Sequence, residues 1–401
     1  MKLIKSGITA AKGFTTGAIH CGIRNNKSKK ELALIVSQVP CQTAAVYTKN
    51  KVKAAPLLLN KKHLVNGQAQ AICVNSGNAN ACAINDDQNS YIQAKAAAEK
   101  LGLNVEDVLV ASTGVIGVEL PIDKIVNGIK EIELTTDWLE TAKAIMTTDT
   151  TVKECSVEFE LDGKTVHLGG IAKGSGMIHP NMGTMLCFIT TDAAISHEML
   201  DQMLKQNVKQ TFNRISVDGD TSTNDMCIVM ANGLAQNTYI DHEGEDAAIV
   251  NEALKTVMEA LAIDIAKDGE GASRLITVQM QNAQSEQQAE TLAMSVASSS
   301  LLKAAVFGQD ANWGRVLCAM GYADTEFDPS LVDIYFASNQ GKVLVCQQGK
   351  GIVFDEDLAA KILAKPEIEI IADLHAGDAQ VTCWGCDLTY DYVKINGDYR
   401  T

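Results

Sequence analysis

The sequence predicts an α+β fold with helices and sheets in layers, and three observations carry that expectation. Apolar, β-branched runs recur along the whole chain and alternate with stretches of helical period. Two of the runs contain tight-turn signals, "LDGK" and "SNQGK", so neighbouring strands pair as hairpins. That departs from the strict strand–helix–strand rhythm of a Rossmann fold. Finally, 46% of the residues are hydrophobic, 21% are charged and only six are proline, which describes a well-packed globular chain without long disorder.

The strand candidates in order are "ELALIVSQV", "TAAVYT", "AQAICVNSG", "DVLVAST", "CSVEFELDGKTVHLGGIA", "TMLCFITTDA", "DMCIVMANG", "LITVQMQNA", "VDIYFASNQGKVLVCQQG" and "EIEIIADLHAGDAQVTCWGCDLTYDYVKI". Helical periodicity marks 89–101, 122–132, 137–146, 197–212, 247–266 and 286–304. The last of these is rich in Ala and Ser, which suits close packing on a sheet. At 401 residues the chain is too long for one simple core, so two lobes or one large layered unit are expected. No internal repeat or Pro/Gly/Ser linker separates lobes.

A formal charge of −15 disfavours nucleic acid and anionic membranes as partners. The one dense basic cluster, "NNKSKKE", precedes a strand and reads as a solvated loop. No apolar run approaches a membrane span, and "MKLIKSGITAAKGF" lacks the apolar region of a secretion signal. Eleven scattered cysteines fit buried thiols in a reducing cytoplasm. Cys383 and Cys386 have redox or zinc spacing, but they sit in a strand pattern without a second pair, so they read as structural.

The stretch that most invites chemistry is "KGSGMIHPNMGTMLCFITTDA", residues 173–193. A Gly-rich loop runs into an apolar strand, and Thr184 stands at the junction after Gly183. A β-branched residue at a strand start is ordinary. Here, though, the hydroxyl can attack the carbonyl before it. An N→O acyl shift followed by hydrolysis frees Thr184 as a new N-terminus. Its α-amine, of a type that ordinarily titrates at about 7.7–8.0, can then serve its own hydroxyl as general base. Among the seven histidines none stands in a triad context, and His179 is the nearest.

Other motifs admit two readings. "ASTGVIG" (111–117) ends a strand with hydroxyls and backbone N–H groups, an oxyanion or phosphate site or simply a turn. "NSGNANAC" (75–82) is either a rigid loop beside a site or a capped loop before a helix. "AKDGEGASR" (266–274) places Glu270 between two glycines, as a helix stop or as a carboxylate for an amine. "FNRISVDGDTSTND" (212–225) carries Asp218, Asp220 and Asp225 without calcium-loop spacing and reads as structural. In "GQDANWGR" (308–315), Arg315 grips a carboxylate or holds Asp310. The polar terminus "KINGDYRT" would ordinarily fray.

Together, "KGSGMIHPNMGTML", "TTDT", "STGVIG", "NSGNANAC", "DGEGA", "FNRISVDGDTSTND", "DANWGR", "CDLTYDYVKIN" and "DYRT" resemble the ornithine acetyltransferases of arginine biosynthesis, also called glutamate N-acetyltransferases. The resemblance covers nearly the whole chain in order. It implies a layered α+β architecture of the DmpA/ArgJ type and self-cleavage between Gly183 and Thr184. The products would be an α chain, 1–183, with the oxyanion hole and cleavage loop, and a β chain, 184–401, with the nucleophile Thr184. They stay assembled, as an α2β2 heterotetramer. Thr113 and Gly114 match the oxyanion hole. Thr147, Lys173, Thr184, Glu270, Asn396 and Thr401 match substrate-binding positions. One departure is Gly183, where the family carries Ala, which bears on the cleavage rate. The implied reaction is ping-pong acetyl transfer from N2-acetylornithine to glutamate through an acetyl-Thr184 ester, releasing ornithine and then N-acetylglutamate. It needs no metal and no cofactor; acetyl-CoA stays open as a second donor. The competing readings are an N-terminal-nucleophile amidase or aminopeptidase with water as acceptor, and a ligand-binding protein with an uncleaved loop.

Overall fold

The computed structural model describes residues 1–179 and 185–398. The proposed cleavage residues Gly183 and Thr184, and Thr401, lie outside the described residues.

Sixteen strands are described: β1 Lys2–Ile4, β2 Phe14–Ile19, β3 Leu32–Tyr47, β4 Gln68–Asn78, β5 Val108–Val115, β6 Lys153–Leu161, β7 Lys164–Lys173, β8 Leu186–Thr191, β9 Ile215–Ser216, β10 Met226–Ala231, β11 Leu275–Ala283, β12 Asp333–Ser338, β13 Gly341–Gln347, β14 Lys350–Gly351, β15 Glu367–Asp373 and β16 Ala379–Cys386. Nine form one sheet in the order β1-β6-β7-β8-β10-β3-β4-β5, with β2 also on β3. The other seven form a second sheet, β14-β13-β12-β15-β11-β16-β9. Both sheets mix parallel and antiparallel pairs, as an α+β fold does and a doubly wound parallel sheet does not.

The first sheet is covered on both faces. Helices His197–Gln210 and Glu245–Lys267 bury Leu204, Val208, Val257 and Leu261 against Val157, Leu168, Ile189 and Val229 on one face. The other face packs Phe188, Ile228, Ile171 and Ile72 with Ile8, Phe14 and Leu57, and towards the β5 edge helices Asp86–Leu101 and Ile122–Glu131 cover Leu34, Cys73 and Val110. A strand buried on both faces should read as a continuous apolar run, and β8 (LCFITT) and β10 (MCIVMA) are buried at every position. They lie side by side in the middle of a sheet otherwise built from residues before 184. The second sheet buries Ile276, Val278, Phe336, Val345, Ile370 and Val381 under helices Glu286–Ser298, Trp313–Gly321 and Glu356–Leu363.

Several local expectations are corrected. "ELALIVSQV" and "TAAVYT" are one strand, β3, whose register to β4 shifts between Val36 and Cys41 around Pro40. Proline has no N–H for the ladder and is tolerated at such an irregularity. The helix expected over 286–304 is two, Glu286–Ser298 and Ser300–Phe307. Ser299, extended at ψ 105°, accepts from the Leu302 N–H and caps the second. The last strand run ends at Cys386, and Tyr390–Asp398 is helical. Thr389 turns the chain there: its hydroxyl donates to the Gly271 carbonyl and accepts from the Asp391 N–H. The Tyr and Val content that suggests a strand is a weak backbone preference. Helix Ala55–His63 also carries no clear period, while the Asp162–Gly163 turn between β6 and β7 is left-handed at both residues, as "LDGK" predicts.

Candidate active site

β5 ends against β4, in parallel register from Ala71–Val108 to Gly77–Gly114. A Cβ on Gly114 would lie 2.4 Å from the Gly77 carbonyl carbon, and Gly114 has φ +135°, so close approach and conformation both require glycine. Beneath it runs a buried polar lattice. Ser112 Oγ donates to Asn75 Oδ1 (2.6 Å), Asn75 Nδ2 donates to the Asn78 carbonyl (2.9 Å), and Asn224 Nδ2 donates to the carbonyls of Ser112 (2.8 Å) and Ala79 (2.6 Å). Such a lattice, with partners for these groups, fixes where Thr113 and Gly114 point.

β7 leads to the same place. Its last residue, Lys173, pairs in register with Leu186, the first residue of β8. Lys173 is 5% exposed. Burial pulls its ammonium below the ordinary lysine range, and Asp149 pulls it back up. After Gly174 the chain is clamped from two sides. Thr148 and Ser175 hydroxyls share a hydrogen bond (2.8 Å), and Asp218 accepts from the N–H groups of Met177 (2.6 Å) and Ile178 (2.9 Å). His179 Nδ1 meets Ser216 Oγ at 3.1 Å, and burial lowers its proton affinity.

Glu270 closes the opposite wall. Its N–H donates to the Ser175 carbonyl, and its carboxylate lies so near Gly176 that a Cβ there would come within 2.3 Å of it. Asn396, on the C-terminal helix, donates to Glu270 Oε2 at 2.7 Å. Two more contacts seat that helix: Tyr392 hydroxyl to Asp218 (3.3 Å), and the Tyr390 ring edge-on to Phe307.

Thr113, Gly114, Thr147, Lys173, Glu270 and Asn396 thus line one cavity of about 130 Å³, together with Ile116, Thr148, Gly176, Met177, Ser222 and Asn224. All six of the sequence-predicted site residues that fall within the described residues come together. Other candidates do not join them. Arg315 donates to the Leu301 carbonyl (2.8 Å) and not to Asp310. Cys383 and Cys386 are buried, and burial raises both thiols, Cys386 to about 11. Among the described residues no His/Cys/Asp/Glu group is arranged to hold a metal, and no helix is long and apolar enough to cross a membrane.

Three residues at the site escape a reading of the sequence or pass there as structural: Asp149, Asp218 and Asn224. "TTDT" and "DGD" hold a signal only as carboxylates in short polar loops, and nothing in the spacing shows which backbone each would reach. Asp225 lies one residue beyond Asn224, and burial raises its carboxyl well above the usual range, although its neighbours Thr48, Met185 and Lys173 favour the anion. Its Oδ2 has no partner among the described residues.

A strand-end hydroxyl and N–H, a buried cation and a carboxylate face one small cavity, a set of groups that can stabilise an oxyanion and bind a substrate carrying both charges. The chain belongs to the ArgJ family, whose family model matches residues 15–401. It is 49% identical over its full length, and the relative's, to the arginine biosynthesis bifunctional protein ArgJ of Caldanaerobacter subterraneus subsp. tengcongensis. It is 50% identical to ArgJ 1 of Clostridium acetobutylicum, covering all of this chain and 98% of that one. A crystallised chain of the Bacillus halodurans arginine biosynthesis bifunctional protein argJ matches at 43% identity and TM-score 0.50. That match covers 53% of this chain and 98% of that one.

Proposed function

We propose that this ArgJ-family enzyme of arginine biosynthesis, a glutamate N-acetyltransferase, cleaves itself between Gly183 and Thr184 and then works through an acetyl-Thr184 ester. The observation that carries the reading is the convergence of Thr113, Gly114, Lys173 and Glu270 on one cavity at the end of β7, where the chain turns towards β8. Thr184 hydroxyl attacks the acetyl carbonyl of N2-acetylornithine, its own α-amine taking the proton. Thr113 hydroxyl and Gly114 N–H stabilise the oxyanion. Ornithine leaves with that proton, glutamate enters, and its amine attacks the ester carbonyl; the Thr184 α-amine takes the proton from the glutamate nitrogen and returns it to the departing Thr184 oxygen, freeing N-acetylglutamate. Lys173 pairs with the substrate carboxylate and Glu270 with an amine, with Thr147, Asn396 and Thr401 completing the polar wall.

The two chains, 1–183 and 184–401, remain together because β8 and β10 are hydrogen-bonded between β7 and β3. The crystallised relative's chain, about half as long as this one, supports a two-chain product. We extend the proposal to an α2β2 assembly in the cytoplasm, to acetyl transfer without metal or cofactor, and to acetyl-CoA as a second donor; the word bifunctional in the relatives' names supports the last.

Intact-mass analysis of purified protein tests the reading: two chains are expected, with Thr184→Ala remaining whole. An Ala variant that still splits at this bond would refute the intramolecular route. Acetate release in place of N-acetylglutamate would favour the amidase reading.

A further inference from the structure

Lys173 has a problem that its own side chain cannot solve. A buried ammonium tends to lose its proton, and a neutral amine cannot pair with a carboxylate. Its one ion-pair partner among the described residues is Asp149, 4.0 Å away, whose side chain is fully buried. Asp149 does more than face Lys173. Oδ1 accepts from the Gly174 N–H (2.6 Å) and from Lys153 Nζ (2.8 Å), while Oδ2 accepts from the Thr147 N–H (2.9 Å). Lys153 is bound in turn by Asp268 (2.6 Å), which also accepts from the N–H groups of Thr150 and Thr151.

We propose that Asp149 is the positioning residue of the substrate-carboxylate site: it holds the backbone of Thr147, which lines the cavity, and of Gly174, which follows Lys173, and keeps Lys173 cationic. This rests on the reading that Lys173 binds the substrate carboxylate. Burial would raise the Asp149 carboxyl, but Lys173 and Lys153 outweigh it and hold it far below the usual range, so it stays an anion. The titratable groups acting on Lys173 are Asp149, Lys153, Asp225 and Glu270; Lys153 opposes its proton, Asp149 does most to favour it, and Asp225 favours it only when ionised, which burial resists. The 4.0 Å separation is longer than a hydrogen bond, which leaves the ammonium donors for a ligand.

The test is the pH profile of kcat/KM for N2-acetylornithine at saturating glutamate, a quantity that reports the free enzyme's groups in the donor half-reaction. The acid limb belongs to the Thr184 amine and the alkaline limb to Lys173. Asp149→Asn is expected to move the alkaline limb to lower pH, leave the acid limb in place, and cost roughly tenfold or more in kcat/KM at alkaline pH, recovered on acidification. Lys153→Met removes the opposing ammonium and is expected to move the same limb to higher pH. Opposite shifts from two neighbours are not what structural damage produces, and Lys153→Met carries the test if Asp149→Asn fails to process. Alkaline limbs that stay put, or that move together, overturn the proposal. Wild-type kcat/KM in processed Lys173→Met would instead overturn the underlying reading. Loss in Lys173→Met with unmoved limbs in the other two variants refutes only the role of Asp149.

Discussion

The site corner of the first sheet and the interior of the second are built on opposite principles. The seven-stranded sheet buries Ile276, Val278, Phe336, Val345 and Ile370 among apolar neighbours, and its His375–Asp333 ion pair stands at the partly exposed margin. The site corner buries Lys153, Lys173, Asp149 and Asp225 within one neighbourhood. Desolvating charges costs several kcal/mol per ion unless partners compensate. A corner that retains them, where Leu or Met would pack, is arranged for binding and for holding protons in place. Substitutions should therefore separate the two regions: activity falls without stability at one, and stability falls without activity at the other.

The largest expected effect is Lys173→Met. Removing one partner of a buried charge pair costs about 2–5 kcal/mol of binding, so kcat/KM should fall roughly 10²–10³-fold at unchanged melting temperature, measured on protein confirmed as cleaved. Wild-type kinetics would erase the contrast. Phe336→Ala should do the reverse. It is expected to lower unfolding free energy by about 3–5 kcal/mol in denaturant titrations, with kcat/KM per folded molecule intact. A joint loss would mean that the second sheet props up the site.

Deleting residues 397–401 probes the seam between the regions, since the C-terminal helix has no buried residue and is held by Asn396–Glu270, Tyr392–Asp218 and the Tyr390 ring. A fall of about tenfold in kcat/KM is expected, in line with the loss of one or two hydrogen bonds to a charged ligand, with self-cleavage preserved. An undiminished value would remove Thr401 from the site.

Asp225→Asn should have the smallest effect. The carboxyl's folded-state pKa is raised, chiefly by burial. Its contribution is therefore favourable below the unfolded carboxyl range and is lost as pH rises through the folded value. The Asn variant should match wild type in thermal melts near pH 4 and exceed it at pH 8 by about 1 kcal/mol or more. A variant less stable at pH 8 would show that the ionised carboxyl stabilises the fold.

What can be read from sequence follows from where the determining forces lie. β8 and β10 are legible because central strands must be apolar throughout, and Gly114 because a strand end closing on another backbone needs glycine. The site residues are legible as chemical types in short polar motifs. Asp149 is not, because its function lies in reaching Gly174 and Lys173, more than twenty positions away, through a fold that the motif "TTDT" does not contain. Asp218 reads as part of a structural loop, and only the folded chain shows its carboxylate on the Met177 and Ile178 amides. The C-terminal helix reads as strand because its place is set by a few anchoring bonds, leaving no hydrophobic period to detect.

The most direct test of the central claim is the mass of the 184–401 chain after processed enzyme is mixed with N2-acetylornithine and no glutamate. One acetyl group is expected on that chain at Thr184, with ornithine released in equal amount, and the acetyl group should leave as N-acetylglutamate once glutamate is supplied. Full transfer to glutamate with no acetylated chain at any time, under conditions that trap the ester, would contradict that claim.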